Sequence, residues 1–146
     1  MRKLFIGFAL AASCLGAYAA CTVRVFSTNP QVITLIKEKG WDFKDYDAIC
    51  RKLEKANAGL HITAQGTVLN GVSIGWASVS LQDRDLQIGS SQGHGLSTQT
   101  NPFASMDKAV ELQFHAINRA IEAVDIDKGL NSLNEARQKI KTSTLK

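Results

Sequence analysis

The dipeptide Asn70-Gly71, set between LHITAQGTVL and VSIGWASVSL, constrains this chain more than any other feature. Both flanking runs alternate apolar and polar residues, the period of a strand with one buried face. Asn-Gly is the preferred pair for a two-residue type I′ turn, whose central residues both need positive φ. Such a turn fixes register. It pairs Leu69 with Val72 and Leu60 with Leu81, and sets Gln65 opposite Trp76 and Thr67 opposite Ile74. The expected core face carries Leu60, Ile62, Ala64 and Val68 beside Ala77, Val79 and Leu81. The opposite face carries His61, Thr63, Gln65, Thr67, Ser78 and Ser80, but also Leu69, Val72, Ile74 and Trp76.

The other elements are read around this hairpin. Residues 22–26 alternate as a short strand, and Asn29-Pro30 then caps and opens a helix ending at Gly40. Asp42 is the expected cap of a second helix running to about Ala58 and closed by Gly59, with Phe43, Tyr46, Ile49, Cys50 and Leu53 as its buried stripe. The turn Asp83-Arg84-Asp85 leads to a third strand over 86–90, and the Gly/Ser/Thr/Gln-rich stretch 89–101 reads as a mobile loop. Pro102 opens a long helix over 102–124, with Met106, Val110, Ile117, Ala120, Ile121 and Val124 along one face. Asp125 or Asp127 caps a last, peripheral helix over 128–146, striped by Leu130, Leu133 and Ile140. The order β-α-α-β-β-β-α-α predicts an α+β fold: a three-stranded antiparallel sheet plus a short N-terminal strand, with helices packed on one face.

Residues 1–19 read as a secretory signal peptide: Arg2 and Lys3, an apolar run from Leu4 to Leu15, then Ala17-Tyr18-Ala19 as the processing site. A membrane span needs about 20 apolar residues, more than this run supplies. Cleavage after Ala19 leaves residues 20–146 as one α+β domain in the periplasm or outside the cell, with no transmembrane segment. A lipoprotein anchored at Cys14 is the competing reading, from the loose lipobox Leu10-Ala11-Ala12-Ser13-Cys14. Two cysteines remain after cleavage, Cys21 and Cys50. Both fall on apolar faces, and an even number in an oxidising compartment predicts a disulfide.

The chain has 17 basic and 13 acidic residues, but removal of Arg2 and Lys3 cuts the excess to two. That balance argues against a nucleic-acid partner, which needs a clustered basic surface. The modest C-terminal cluster of Arg137, Lys139, Lys141 and Lys146 reads as a solvated helix end. His61, His94 and His115 show no metal-ligand spacing, so neither metal nor cofactor is expected.

Gly89, Ser91 and Gly93 spell G-x-S-x-G, the pattern that presents the nucleophile of serine hydrolases, with His94 next to it. A nucleophile elbow runs straight from strand into helix, whereas here glycines and a polar run intervene. A binding loop carrying Ser91 and His94 is the better reading, and a small secreted serine hydrolase using Ser91 with a histidine is the alternative. Gly93, Gly95 and Ser97, between a three-strand run and a helix, also match a G-x-G-x-S fragment and in that resemble double-stranded RNA-binding domains. Thr98 and Gln99 stand where that family has its phosphate-gripping lysines, so the resemblance implies shared topology alone.

The apolar residues opposite the core face have three explanations. A helix covers them, the strand projects beyond the sheet, or a partner, second copy or ligand docks there. Cover by the first or last helix is the expected arrangement, with docking next. The functional expectation is a small exported protein that binds an envelope protein or small ligand without catalysis. Its contacts are Leu69, Val72, Ile74 and Trp76 with Ser91 and His94, and a homodimer is compatible with it.

Overall fold

The computed structural model describes residues 21–144, so the leader over 1–19 and Cys14 lie outside the described residues. Its elements are β1 (Val25–Phe26), α1 (Pro30–Lys39), α2 (Tyr46–Lys55), β2 (Ala58–Leu69), β3 (Val72–Asp83), β4 (Gly95–Asn101), α3 (Met106–Glu122) and α4 (Ile126–Thr144). The fold is α+β, and its strands form one mixed sheet in the order β1-β2-β3-β4.

The hairpin forms in the expected register, Leu69 opposite Val72 and Leu60 opposite Leu81, with Gln65 facing Trp76 and Thr67 facing Ile74. Asn70 and Gly71 take φ of 50° and 80°, as a type I′ turn demands. The N-terminal strand is shorter than residues 22–26 and joins as a fourth strand. It runs parallel to β2, with the Leu60 N–H donating to the Arg24 carbonyl at 2.8 Å.

The third hairpin strand differs from expectation. Residues 86–90 make only an isolated bridge, Gln82 to Gly89, and the true partner of β3 is β4, beginning with Val79 opposite Gly95. The stretch read as a mobile loop is therefore mostly strand, and 90–94 is an excursion between two pairings along the same edge of β3. Its polar sequence hid it, because β4 leaves one face open and meets α3 through Gly95 and Ser97 rather than through large apolar side chains.

Asn29 caps α1 by accepting from the Gln31 N–H at 3.0 Å, and Gly40 ends it at φ 74°. Asp42 does not cap α2. Its N–H instead donates to Asn118 Oδ1 at 2.9 Å, and Asp45, at φ 58°, precedes the helix. The helix stops at Lys55, Asn57 takes the left-handed position (φ 50°), and Gly59 lies inside β2. The long helix starts at Met106 under a Ser105 cap rather than at Pro102. Met106 and Val110 are exposed, and its buried side is Ala109, Leu112, Phe114, Ala116, Ile117, Ala120 and Ile121. Asp125 Oδ1 accepts from the Lys128 N–H at 3.0 Å at the start of α4, which buries Leu133 completely while Ile140 stays exposed.

The core lies between the sheet and the helices, joining Val32, Leu35, Ile36, Cys50 and Leu53 to the inward residues of β2 and β3. No side-chain layer separates α3 from the strands at three points. A Cβ on Gly66, Gly75 or Gly95 would fall 2.5 Å from Ala109 O, 2.2 Å from Gln113 N or 1.9 Å from Ala120 O. The helix backbone thus rests on a diagonal track of glycines.

Cys21 and Cys50 form the expected disulfide, fastening the chain before β1 to α2 across a sequence separation of 29. A loop of that size predicts a loss of about 3–4 kcal/mol on removing the bridge. Urea unfolding of Cys21→Ser/Cys50→Ala against the oxidised parent is expected to show it, and equal midpoints would refute it.

Candidate functional site

Among the described residues all helices pack against one side of the sheet, and none lies on the opposite side of β2, β3 and β4. Correcting the expectation of helical cover, Val72, Ile74 and Trp76 are only partly buried and none belongs to the core cluster. Leu69, at the turn, is 59% exposed. The pairing arranges this face in cross-strand rows: Gln65, Trp76 and Thr98; Thr67, Ile74 and Thr100; Thr63, Ser78 and Leu96. Leu96, at 72% exposure, and its neighbours Thr98 and Thr100 were missed in the sequence because their stretch was read as a loop. No outward position of these three strands holds Asp, Glu, Lys or Arg. The face is an apolar column, Val72-Ile74-Trp76, bordered by threonines and a glutamine.

At the turn end further apolar side chains are exposed on the helix side of the sheet. The buried Ser73 hydroxyl donates to the Phe103 carbonyl (2.6 Å) and accepts from the Ser105 N–H (3.0 Å), so the segment before α3 is tied to the hairpin tip. This leaves Phe103 (69% exposed), Met106 and Val110 at the same end as Leu69. Phe103 carries no periodic signal, since it lies between elements.

Ser91 and His94 do not join this face. They sit in the 90–94 excursion, which packs onto α4 on the helical side. The Ser91 N–H donates to Ser132 Oγ at 2.9 Å, and the two hydroxyls lie 3.0 Å apart. Gly93, at φ 74°, is in contact with α4, where a Cβ would lie 2.5 Å from Asp125 O and Gly129 N. His94 Nε2 lies 2.9 Å from the Ser90 carbonyl oxygen. The Ser91 hydroxyl therefore faces another hydroxyl and the imidazole a backbone carbonyl, and this geometry supplies no base for a nucleophile. Of the two glycines of G-x-S-x-G, Gly93 serves the close approach to α4, and Gly89 makes only ordinary contact with Leu81 O.

His61 lies on the open face beside Ser80, and His115 is half exposed with Nε2 3.7 Å from Glu111 Oε1. Among the described residues no group of three His, Cys, Asp or Glu is placed to hold a metal ion. No helix among them is long and apolar enough to cross a membrane. Arg137, read as part of a solvated basic end, instead turns inward to Asp83.

No protein-family model matches this chain, and neither does any curated protein. Among solved structures it is similar to a protein of Caulobacter crescentus CB15 provisionally described as a lipoprotein. The identity is 14% over 80% of this chain and 91% of the other, with a TM-score of 0.31, a likeness too slight to assign a role.

Proposed function

We propose that this chain is an exported protein of the cell envelope that acts by binding, and that the open sheet face is its binding surface. The observation that carries this reading is the absence of Asp, Glu, Lys and Arg from the outward positions of three adjacent strands, with Trp76 and Ile74 at the centre. Solvent-facing strands ordinarily carry Lys or Glu, which protect against unwanted association. A face without them, holding a partly exposed tryptophan, suits burial against a partner. The partner is uncharged over the contact: a protein surface or small ligand that meets the apolar column and hydrogen-bonds to Gln65, Thr67, Thr98 and Thr100. A phosphate backbone finds no cation there, which argues against nucleic acid. Export is supported by the N-terminal charge and apolar run and by the Cys21–Cys50 disulfide, a bond that persists in oxidising compartments.

Native mass spectrometry on protein recovered from an envelope fraction tests the reading. The parent chain is expected to retain a partner or ligand. Ile74→Lys, a change on the open face that leaves the core untouched, is expected to lose it through a roughly tenfold or greater fall in affinity. A bare parent chain, or a variant that keeps the same partner, would remove the open face from consideration.

A further inference from the structure

A second site lies at the other end of the sheet, around the edge formed by β1. We infer that a cleft there takes an extended peptide segment bearing a carboxylate, added as a strand to β1. The cleft has a volume of about 750 Å³, and its floor is the backbone run 22–26. One wall is α1, through Ile33, Ile36 and Lys37, and Trp41 closes the end beyond Gly40. Thr22, Arg24, Lys37, Gly40 and Asp85 on its rim are all exposed, so it is an open trough rather than an enclosed pocket. An enclosed cavity suits a compact ligand, whereas a trough beside an unpaired strand suits a chain.

The backbone supports the same occupant. Among the described residues β1 pairs with β2 alone, and the Arg24 carbonyl is used toward Leu60. Successive residues of a strand direct their backbone groups to alternate sides, which turns the Val25 N–H and C=O away from the sheet into the trough. The Val23 N–H already donates to the Tyr46 hydroxyl (3.4 Å), which donates in turn to the Cys21 carbonyl (3.0 Å), so the incoming segment pairs at Val25 alone and rests its flanking side chains on the trough walls. Apolar contacts from Phe26, Ile33 and Trp41 favour β-branched or aromatic side chains at alternate positions.

Charge selects the carboxylate. Arg24, Lys37 and Arg84 line the trough against one acid, Asp85, whose Oδ2 already accepts from Asn57 Nδ2 at 2.7 Å. Arg24 and Arg84 converge near the start of β2. Arg84 Nε donates to the Ala58 carbonyl at 3.1 Å, and the Arg24 Cβ lies 3.0 Å from where Gly59 would carry its own. Gly59 has no side chain to separate them.

The probe is a library of random heptapeptides displayed with free C-termini. It is expected to enrich β-branched sequences bearing a carboxylate, and synthetic copies are expected to bind the double variant Arg24→Glu/Lys37→Glu tenfold or more weakly. Both side chains are exposed, so the variant keeps its fold, verified by circular dichroism. An amidated C-terminus and Asp/Glu→Asn/Gln copies distinguish a terminal from a side-chain carboxylate. Ile74→Lys is expected to leave this binding unchanged, separating the trough from the open face. No enrichment, binding insensitive to the charge reversal, or binding lost with Ile74→Lys would each overturn the inference.

Discussion

Gly75→Val is expected to cost at least about 3 kcal/mol, enough to unfold a large share of a domain of ordinary stability. The added Cβ alone would stand 2.2 Å from both Gln113 N and the Leu112 carbonyl carbon, main-chain atoms of a helix that cannot rotate aside as a side chain does. Valine adds two methyl groups to that collision. Either α3 lifts, opening a void over Ala77 and Val79, or β3 leaves its pairing with β2 and β4. Both routes disrupt contacts across the whole sheet, so the effect goes beyond ordinary overpacking. Gly89→Ala is the control, because the nearest neighbour of its Cβ is Leu81 O at 3.8 Å, an ordinary contact. It is expected to lie within about 0.5 kcal/mol of the parent. Urea unfolding followed by far-ultraviolet circular dichroism reads both. A Gly75→Val midpoint equal to the parent's would mean that the helix does not rest on this glycine.

Arg137→Ala is expected to cost about 3 kcal/mol or more, the usual scale when one partner of a buried ion pair is removed. Asp83 is 3% exposed at the end of β3, and Arg137 reaches it from α4, with Nε at 2.6 Å from Oδ2. The same guanidinium donates to the carbonyls of Ala56 (2.9 Å) and Asn57 (3.2 Å) in the α2–β2 turn. One side chain thus joins three elements, and its loss takes a donor from Asp83 Oδ2 and from the Ala56 carbonyl, while the Asn57 carbonyl keeps the Arg84 N–H at 3.1 Å. Burial alone would raise the Asp83 pKa. The Leu86 N–H, the Arg137 guanidinium and the Asp85 N–H together outweigh it and hold the group below the ordinary 3.8. A depressed carboxyl contributes stability above the unfolded-state value, and that contribution fades as pH falls through the folded value. The gap between the parent and Asp83→Asn should accordingly be full at pH 6 and shrink below about pH 4. A gap that stays constant to pH 2.5 would show that the charge on Asp83 contributes nothing.

The hairpin was legible to the residue because two independent signals, a two-residue turn and strict alternation, agree on its register. The disulfide was legible for a similar reason, compartment and facing pattern pointing to the same pair. β4 was not, since its inward contacts run through Gly95 and Ser97 and leave no apolar alternation to read. Met106 and Val110 fit a helical stripe but lie beside the sheet rather than over it, at a helix end that projects toward the hairpin turn. Arg137 sits among lysines in the sequence, and only the fold brings Asp83 to it across 54 positions. The apolar column Val72-Ile74-Trp76 was visible in the register. Its exposure was not, because whether a helix returns to cover a strand is decided by tertiary packing.

Gly75 stands between Ile74 and Trp76 in the chain, so the point where α3 touches β3 directly lies behind the centre of the open face. A helix backbone seated on strands has no intervening side chains to change rotamer or shear. The surface in front is therefore braced from behind by the backbone of α3. In the binding proposed for this face, association has to fix only a few outward side chains, and little of the contact energy is spent on ordering the chain.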